Sequence, residues 1–273
     1  MATSRMERIL ILAKTYPSPS SQYVETSCVA GITEHGSMRR LYPIPFRFVE
    51  DGKQFKKWQW IDVRVAKATT DRRPESHRVY VDTLVCHPRI DTRKDWADRR
   101  VWLDKMPDFD SYAAMDAARL KENISLALLR PLRVIGLEIK PARHTDWTIE
   151  EREKLARSQL ELFTEAEAKQ DVKQLRKIPF DFYYHCEYLE PDGATYHHKI
   201  VDWEAGALYW RCRQLYGAAW EVPFRAKLEG DLLGKDLMFL MGNQHRFQDQ
   251  WLIVSLVYPP RLPPAQTPQG ALF

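Results

Sequence analysis

A chain of 273 residues with 44% hydrophobic and 29% charged residues has a globular composition, and no apolar run approaches the roughly 18 residues of a membrane-spanning helix, which excludes a helical membrane protein. Four cysteines, Cys28, Cys86, Cys186 and Cys212, lie too far apart in sequence to suggest a disulfide framework or a four-cysteine zinc site. The formal charge of +4 is concentrated: from His35 to Arg100 there are sixteen lysines and arginines against nine acids, so a basic lobe is joined to a slightly acidic remainder, as in modules that meet phosphate.

At the N-terminus a charge precedes only a four-residue apolar run, unlike a secretory signal, and the expected location is cytoplasmic. Ile9 to Ala13 reads as a buried strand entering a turn at Pro17, and Tyr23 to Ile32 with Met38 to Tyr42 reads as a hairpin about Glu34, His35 and Gly36. Pro43 and Pro45 remove two ladder donors, so that end must lie at an edge or leave the sheet. The alternation in WQWIDVRVA, Trp58 to Ala66, and the run Val79 to Cys86 add two strands. Five short strands so spaced predict a small closed or partly open barrel.

Residues 91 to 129 read as two helices, and Val134 to Ile139 as a strand between Pro131 and Pro141. Thr148 and Glu151 fit a capping box at the head of a long polar helix that connects two domains. Beyond Phe180, a hairpin turning at Asp192 and Gly193, two helices and two buried strands give the order ββααββ. The expected fold is therefore α+β. Its parts are a β-rich, barrel-like nucleic-acid-binding domain (1–90), a helical connector with one strand (91–179), an α+β domain (180–258) and a flexible proline-rich tail (259–273).

The segments KTYPSPSSQYVETSCVAGI, RLYPIPFR, RPES at Arg73 to Ser76, DWE at Asp202 to Glu204, GNQH and WLIVSLVYPP together resemble an uncharacterised family of bacterial cytoplasmic proteins. The resemblance covers most of the length and implies no activity or catalytic set.

Four groups of residues could carry chemistry. In the basic lobe, Lys14, Arg39, Arg40, Arg47, Lys56, Lys57, Arg72 and Arg73 can contact phosphate, while Tyr16, Tyr42, Trp58 and Trp60 can stack on bases, unless the tryptophans are core. Asn243, Gln244 and Arg246, in a polar loop between two buried strands, can read base edges. His197, Asp202, Glu204 and His245 are the acid-base candidates. The hairpin could bring His185 or Cys186 near His197, but the spacing matches no standard zinc site, and neither a metal nor a cofactor is assigned. Lastly, Gln159, Leu162 and Phe163 in QLELF and Gln269, Leu272 and Phe273 in QGALF both look like the short peptide that docks bacterial proteins on the sliding clamp. In the inner copy, Leu155, Leu162 and Phe163 also fit the apolar face of the connector helix.

The expected function is a DNA-associated binding protein of DNA metabolism or defence, with nucleic acid on the basic lobe and a clamp-docking tail. The alternative is an enzyme of nuclease or base-modification type, acting on nucleic acid or nucleotides through the His/Asp/Glu group.

Overall fold

Alternating burial along the first ninety residues closes a barrel. A computed structural model describes residues 3–19, 25–44, 53–151, 153 and 176–262. Strands β1 (Ser4–Lys14), β3 (Glu25–Thr33), β4 (Met38–Ile44), β5 (Gln59–Lys67) and β6 (Ser76–Arg89) form the wall in the order β1-β5-β6-β4-β3, and β1 also pairs with β3 to complete the ring. A two-residue strand, β2 (Ser18–Pro19), extends β3. All wall pairings are antiparallel except β4 with β6. In β5, Ile61, Val63 and Val65 are buried while Asp62 and Arg64 between them are only partly so. The closing seam leaves no room for a side chain at Gly31, where a Cβ would stand 2.6 Å from the carbonyl oxygen of Leu10. Pro43 lies beyond the two residues of β4 that pair with β6, so the donor it lacks is not needed there.

A second sheet has seven strands in the order β7 (Asp108–Phe109), β8 (Leu126–Leu129), β12 (Met238–Asn243), β13 (Trp251–Val257), β11 (Thr195–Ile200), β10 (Phe180–Glu187) and β9 (Arg133–Pro141). The helices are α1 (Arg93–Leu103), α2 (Tyr112–Glu122), α3 (Trp203–Tyr216) and the short α4 (Glu221–Arg225), which runs into a π-turn over Ala226–Asp231. Ala205, Tyr209 and Cys212 of α3 recur at helical spacing and pack on the sheet. No described helix is long and apolar enough to cross a membrane.

Three apolar runs are buried on both faces, which is why they do not alternate in sequence. In β1, Ile9 and Ile11 fill the barrel while Leu10 and Leu12 point outward into a second core. That core also takes Leu126 and Leu128 from β8 and Met238 and Leu240 from β12, whereas Ala127, Leu129, Phe239 and Met241 face the helices. Barrel and sheet thus share a hydrophobic layer in which each fully buried large side chain contributes about 1.5–3 kcal/mol. Two placements differ from the sequence reading. The run LALL, within the segment read as helical, is the strand β8, and the strand assigned to the connector, β9, is the edge of the second sheet. The capping box does form: Thr148 N donates to Glu151 Oε2 at 2.8 Å and Glu151 N to Thr148 Oγ1 at 3.2 Å.

Candidate nucleic-acid interface

The segments that carry the family resemblance meet along the boundary between barrel and sheet. Lys57, from the loop before β5, donates from Nζ to the carbonyl of Leu256, and the amide of the same residue donates to Asp202 Oδ2 at 2.8 Å. Asp202 also caps α3, its Oδ1 accepting from Glu204 N at 2.8 Å. Burial drives the Asp202 carboxyl upward, opposed by the nearby Lys57 ammonium and by these two amides. Further along, Arg73 of RPES donates to the Asn243 carbonyl of GNQH at 2.5 Å, while Arg40 Nη2 and Glu75 hold the backbone of Ser125. Tyr16 N donates to Val201 O at 2.8 Å, and its hydroxyl donates to Arg176 O and accepts from Trp210 Nε1.

Beside this boundary opens a cleft of about 270 Å³, lined by Lys57, Trp58, Arg89, Trp96, Arg99, Glu204, Lys235 and Tyr258 among others. A second cavity of about 300 Å³ shares Glu204 and Tyr258 as its near wall. Arg99 lies 5.0 Å from the ring centre of Trp58 and 4.6 Å from that of Trp96, a cation-π contact with each of two indoles that meet edge-on at 75°. Arg89 and Arg99 donate to the backbone carbonyls of Lys57 and Ile90, and among the described residues neither has a carboxylate within 4.0 Å. Burial and the neighbouring Arg89 lower Arg99 to about 10, so it stays charged at neutral pH. Lys57, Lys227 and Lys235 each stand within 5.9 Å of the Tyr258 ring centre. Burial raises that phenol to about 12, helped by Glu204 and Asp202.

Backbone strain marks the same place. Trp58 (φ 66) and Trp96 (φ 67) are both in the left-handed region, which bulky side chains rarely adopt. Trp58 is held there by its amide on Ile11 O and its carbonyl under Ile90 N, both at 2.7 Å. Such strain persists only where surrounding structure enforces it, and it concentrates at functional positions.

The residues singled out in the sequence fall into several environments. Lys57 and Trp58 line the cleft, but both are buried, so Trp58 supports Arg99 and presents no face for stacking. Arg40 and Arg73 are buried boundary residues, and Arg73 is paired with Asp71. Arg39 is neutralised by Glu7 at 2.7 Å, and Trp60 packs edge-on against Trp102 with ring centres 4.9 Å apart. Lys56, Arg72 and Arg246 are exposed, and Tyr42 is 50% exposed. Asn243 is buried under Arg73, and Gln244 bonds Gln250 at 3.0 Å. Lys14 lies 4.8 Å from the Trp203 ring centre and is pushed down to about 8 by burial. Arg47 and the residues of both clamp-like peptides, Gln159, Leu162, Phe163, Gln269, Leu272 and Phe273, lie outside the described residues.

The acid-base candidates have separate partners. Glu204 is 3.5 Å from Lys57 at the cleft, His197 pairs with Glu138 at 3.1 Å on the sheet, and His245 is 3.9 Å from Asp71. Among the cleft residues, Arg89, Trp96, Arg99, Lys235 and Tyr258 are not singled out from the sequence as site residues. They come from four separate segments, and only the unbalanced arginines of residues 89–100 gave a signal.

Comparison with known families covers almost the whole chain: residues 5–105 match Domain of unknown function (DUF8758) and residues 109–273 match Domain of unknown function (DUF8757). No curated protein matches it.

Proposed function

The chain belongs to the DUF8757 family, and from the geometry of its interlobe cleft we propose that it is a cytoplasmic DNA-associated protein that holds a single-stranded segment or strand end there. The observation that carries this reading is a cleft lined by four cations, in which the exposed Arg89 and the buried Arg99 lack an acidic partner among the described residues, while Lys57 and Lys235 are paired with Glu204 at 3.5 Å and Asp231 at 3.2 Å. In a low-dielectric cleft such an excess attracts polyanions and releases their counterions on binding. Tyr258, half-buried and ringed by lysines, offers a face to a base or ribose. The two adjoining cavities together reach the size of small-ligand sites, about 300–1,000 Å³.

Anisotropy titrations of single- and double-stranded oligonucleotides at 50 and 200 mM salt test this. With about two phosphate contacts, from Arg89 and Lys235, single-strand affinity should fall about sevenfold between the two salts, and Arg89→Ala should lower the log-log slope by about 0.7. Lys121→Ala, on exposed α2, should change neither. Absence of binding at 50 mM salt would end the proposal. In the same reading the QGALF tail docks on a sliding clamp, so truncation after Arg261 should leave DNA affinity intact and abolish capture by the clamp.

One observation favours a catalytic version: Glu204 is the carboxylate at the cleft, 3.5 Å from Lys57, with Lys14 lowered to about 8 nearby. Acid-base chemistry on a bound nucleotide would then run through Glu204 without His197 or His245. Glu204→Gln should retain oligonucleotide binding while losing turnover, and unchanged turnover would remove this reading.

A further inference from the structure

On the solvent face of the second sheet, β10 and β11 form an antiparallel hairpin in which His185 and His197 are directly opposite each other. Their imidazoles stack with centres 4.1 Å apart and planes 13° from parallel. Glu138 of β9 stands on the other side of β10, paired with Tyr183, and its Oε1 is 3.1 Å from His197 Nδ1. One ligand atom from each of Glu138, His185 and His197 lies within 4.8 Å of the other two. His185 Nε2 is shielded from solvent and has no hydrogen-bond partner among the described residues. A shielded imidazole nitrogen without a partner, on a ring that lies beside a second imidazole and a carboxylate, is an orphan that a cation would satisfy. The register shift of β9 next to His185 places Gly136 opposite that ring, and a bulge of this kind often re-aims side chains beside a site.

We propose that Glu138, His185 and His197 form a mononuclear site for a divalent transition metal. Two imidazoles and one carboxylate suit Zn²⁺, Ni²⁺ or Cu²⁺ over Mg²⁺ or Ca²⁺, which prefer all-oxygen sets. Metal–ligand distances of about 2.0–2.2 Å require the three atoms to draw in from their present separation, which opening of the imidazole stack provides. Three protein ligands leave a coordination position for water or a small ligand. Lys140 Nζ, 2.6 Å from Glu138 Oε2, holds the carboxylate in the absence of metal and competes with the ion. Cys186, next in sequence to His185, points into the core and takes no part. None of the three ligands lines the interlobe cleft, so this site and the nucleic-acid reading stand or fall separately.

The test is calorimetric titration of the chelator-treated full chain with Zn²⁺ at pH 7.5, repeated with Ni²⁺ and Cu²⁺. One equivalent should bind, and Tm should rise by about 5 °C or more at a hundredfold excess over Kd. His185→Gln and His197→Gln should each weaken binding at least about tenfold, whereas Lys140→Ala should tighten it. Lys140→Ala leaves the ligand set intact and reports on the site even if a histidine variant misfolds. Silence with all three ions overturns the proposal. Undiminished binding by the His185→Gln/His197→Gln double variant, folded by circular dichroism, also overturns it, because the ion would then lie elsewhere.

Discussion

Lys14 is the last residue of β1, placed between the Phe55 carbonyl, 3.2 Å from its Nζ, and the Trp203 ring. Burial, opposed by Glu204 and Asp202, lowers its ammonium from 10.5 to about 8. Between those values the unfolded chain keeps a proton that the folded chain has released, so folding is favoured progressively as pH rises through the window. Below about pH 8 the full cost of burying the charge applies, on the order of 3 kcal/mol. The stability difference between Lys14→Met and wild type should therefore move by about 3 kcal/mol in favour of wild type from pH 7 to pH 10.5, measured by urea unfolding. A difference that stays flat across that range would sink the argument. Lys14, Arg40, Lys57 and Arg73 also show what residue type leaves open. Their charge is legible in the sequence and fits a phosphate surface, but three of them are buried and donate to carbonyls of the other lobe.

Helix α3 meets the barrel at Gly206. A Cβ there would stand 2.4 Å from Tyr16 Cδ2 and 2.9 Å from Cε2. The Tyr16 ring is not free to swing away, since its hydroxyl is fixed by Arg176 O and Trp210 Nε1. Gly206→Ala should thus destabilise the protein by about 1–3 kcal/mol, although alanine is the better helix former by about 0.5–1 kcal/mol. A midpoint shift without a change in m would confirm a clash; a stabilised variant would show that the ring yields. Elements whose pattern matched one period were legible: β5 alternates, the Asp192-Gly193 turn joins β10 to β11, and α3 repeats its buried positions at helical spacing. Strand β8 was not, because four consecutive buried residues carry no period and are too few to separate strand from helix.

At the scale of the molecule, the layer containing Leu10, Leu12, Leu126, Leu128, Met238 and Leu240 belongs to both lobes. Leu240→Ala should cost about 2–5 kcal/mol and lower the unfolding midpoints of barrel and sheet together. Guanidinium unfolding followed by tryptophan fluorescence and far-UV circular dichroism should give coincident curves, and a barrel transition left in place would show that the layer does not couple them. The sequence by itself determined the α+β class, the five barrel strands, the hairpin at Asp192 and the concentration of positive charge before residue 101, because each rests on local periodicity, turn chemistry or a simple sum. Only the tertiary structure decided which cations are consumed in the lobe boundary and which face the cleft with Arg89 and Arg99, and that His185 stacks on His197 beside Glu138. Those outcomes depend on contacts between residues distant in the chain, where burial and the choice of partner are fixed by packing and leave no trace in local pattern.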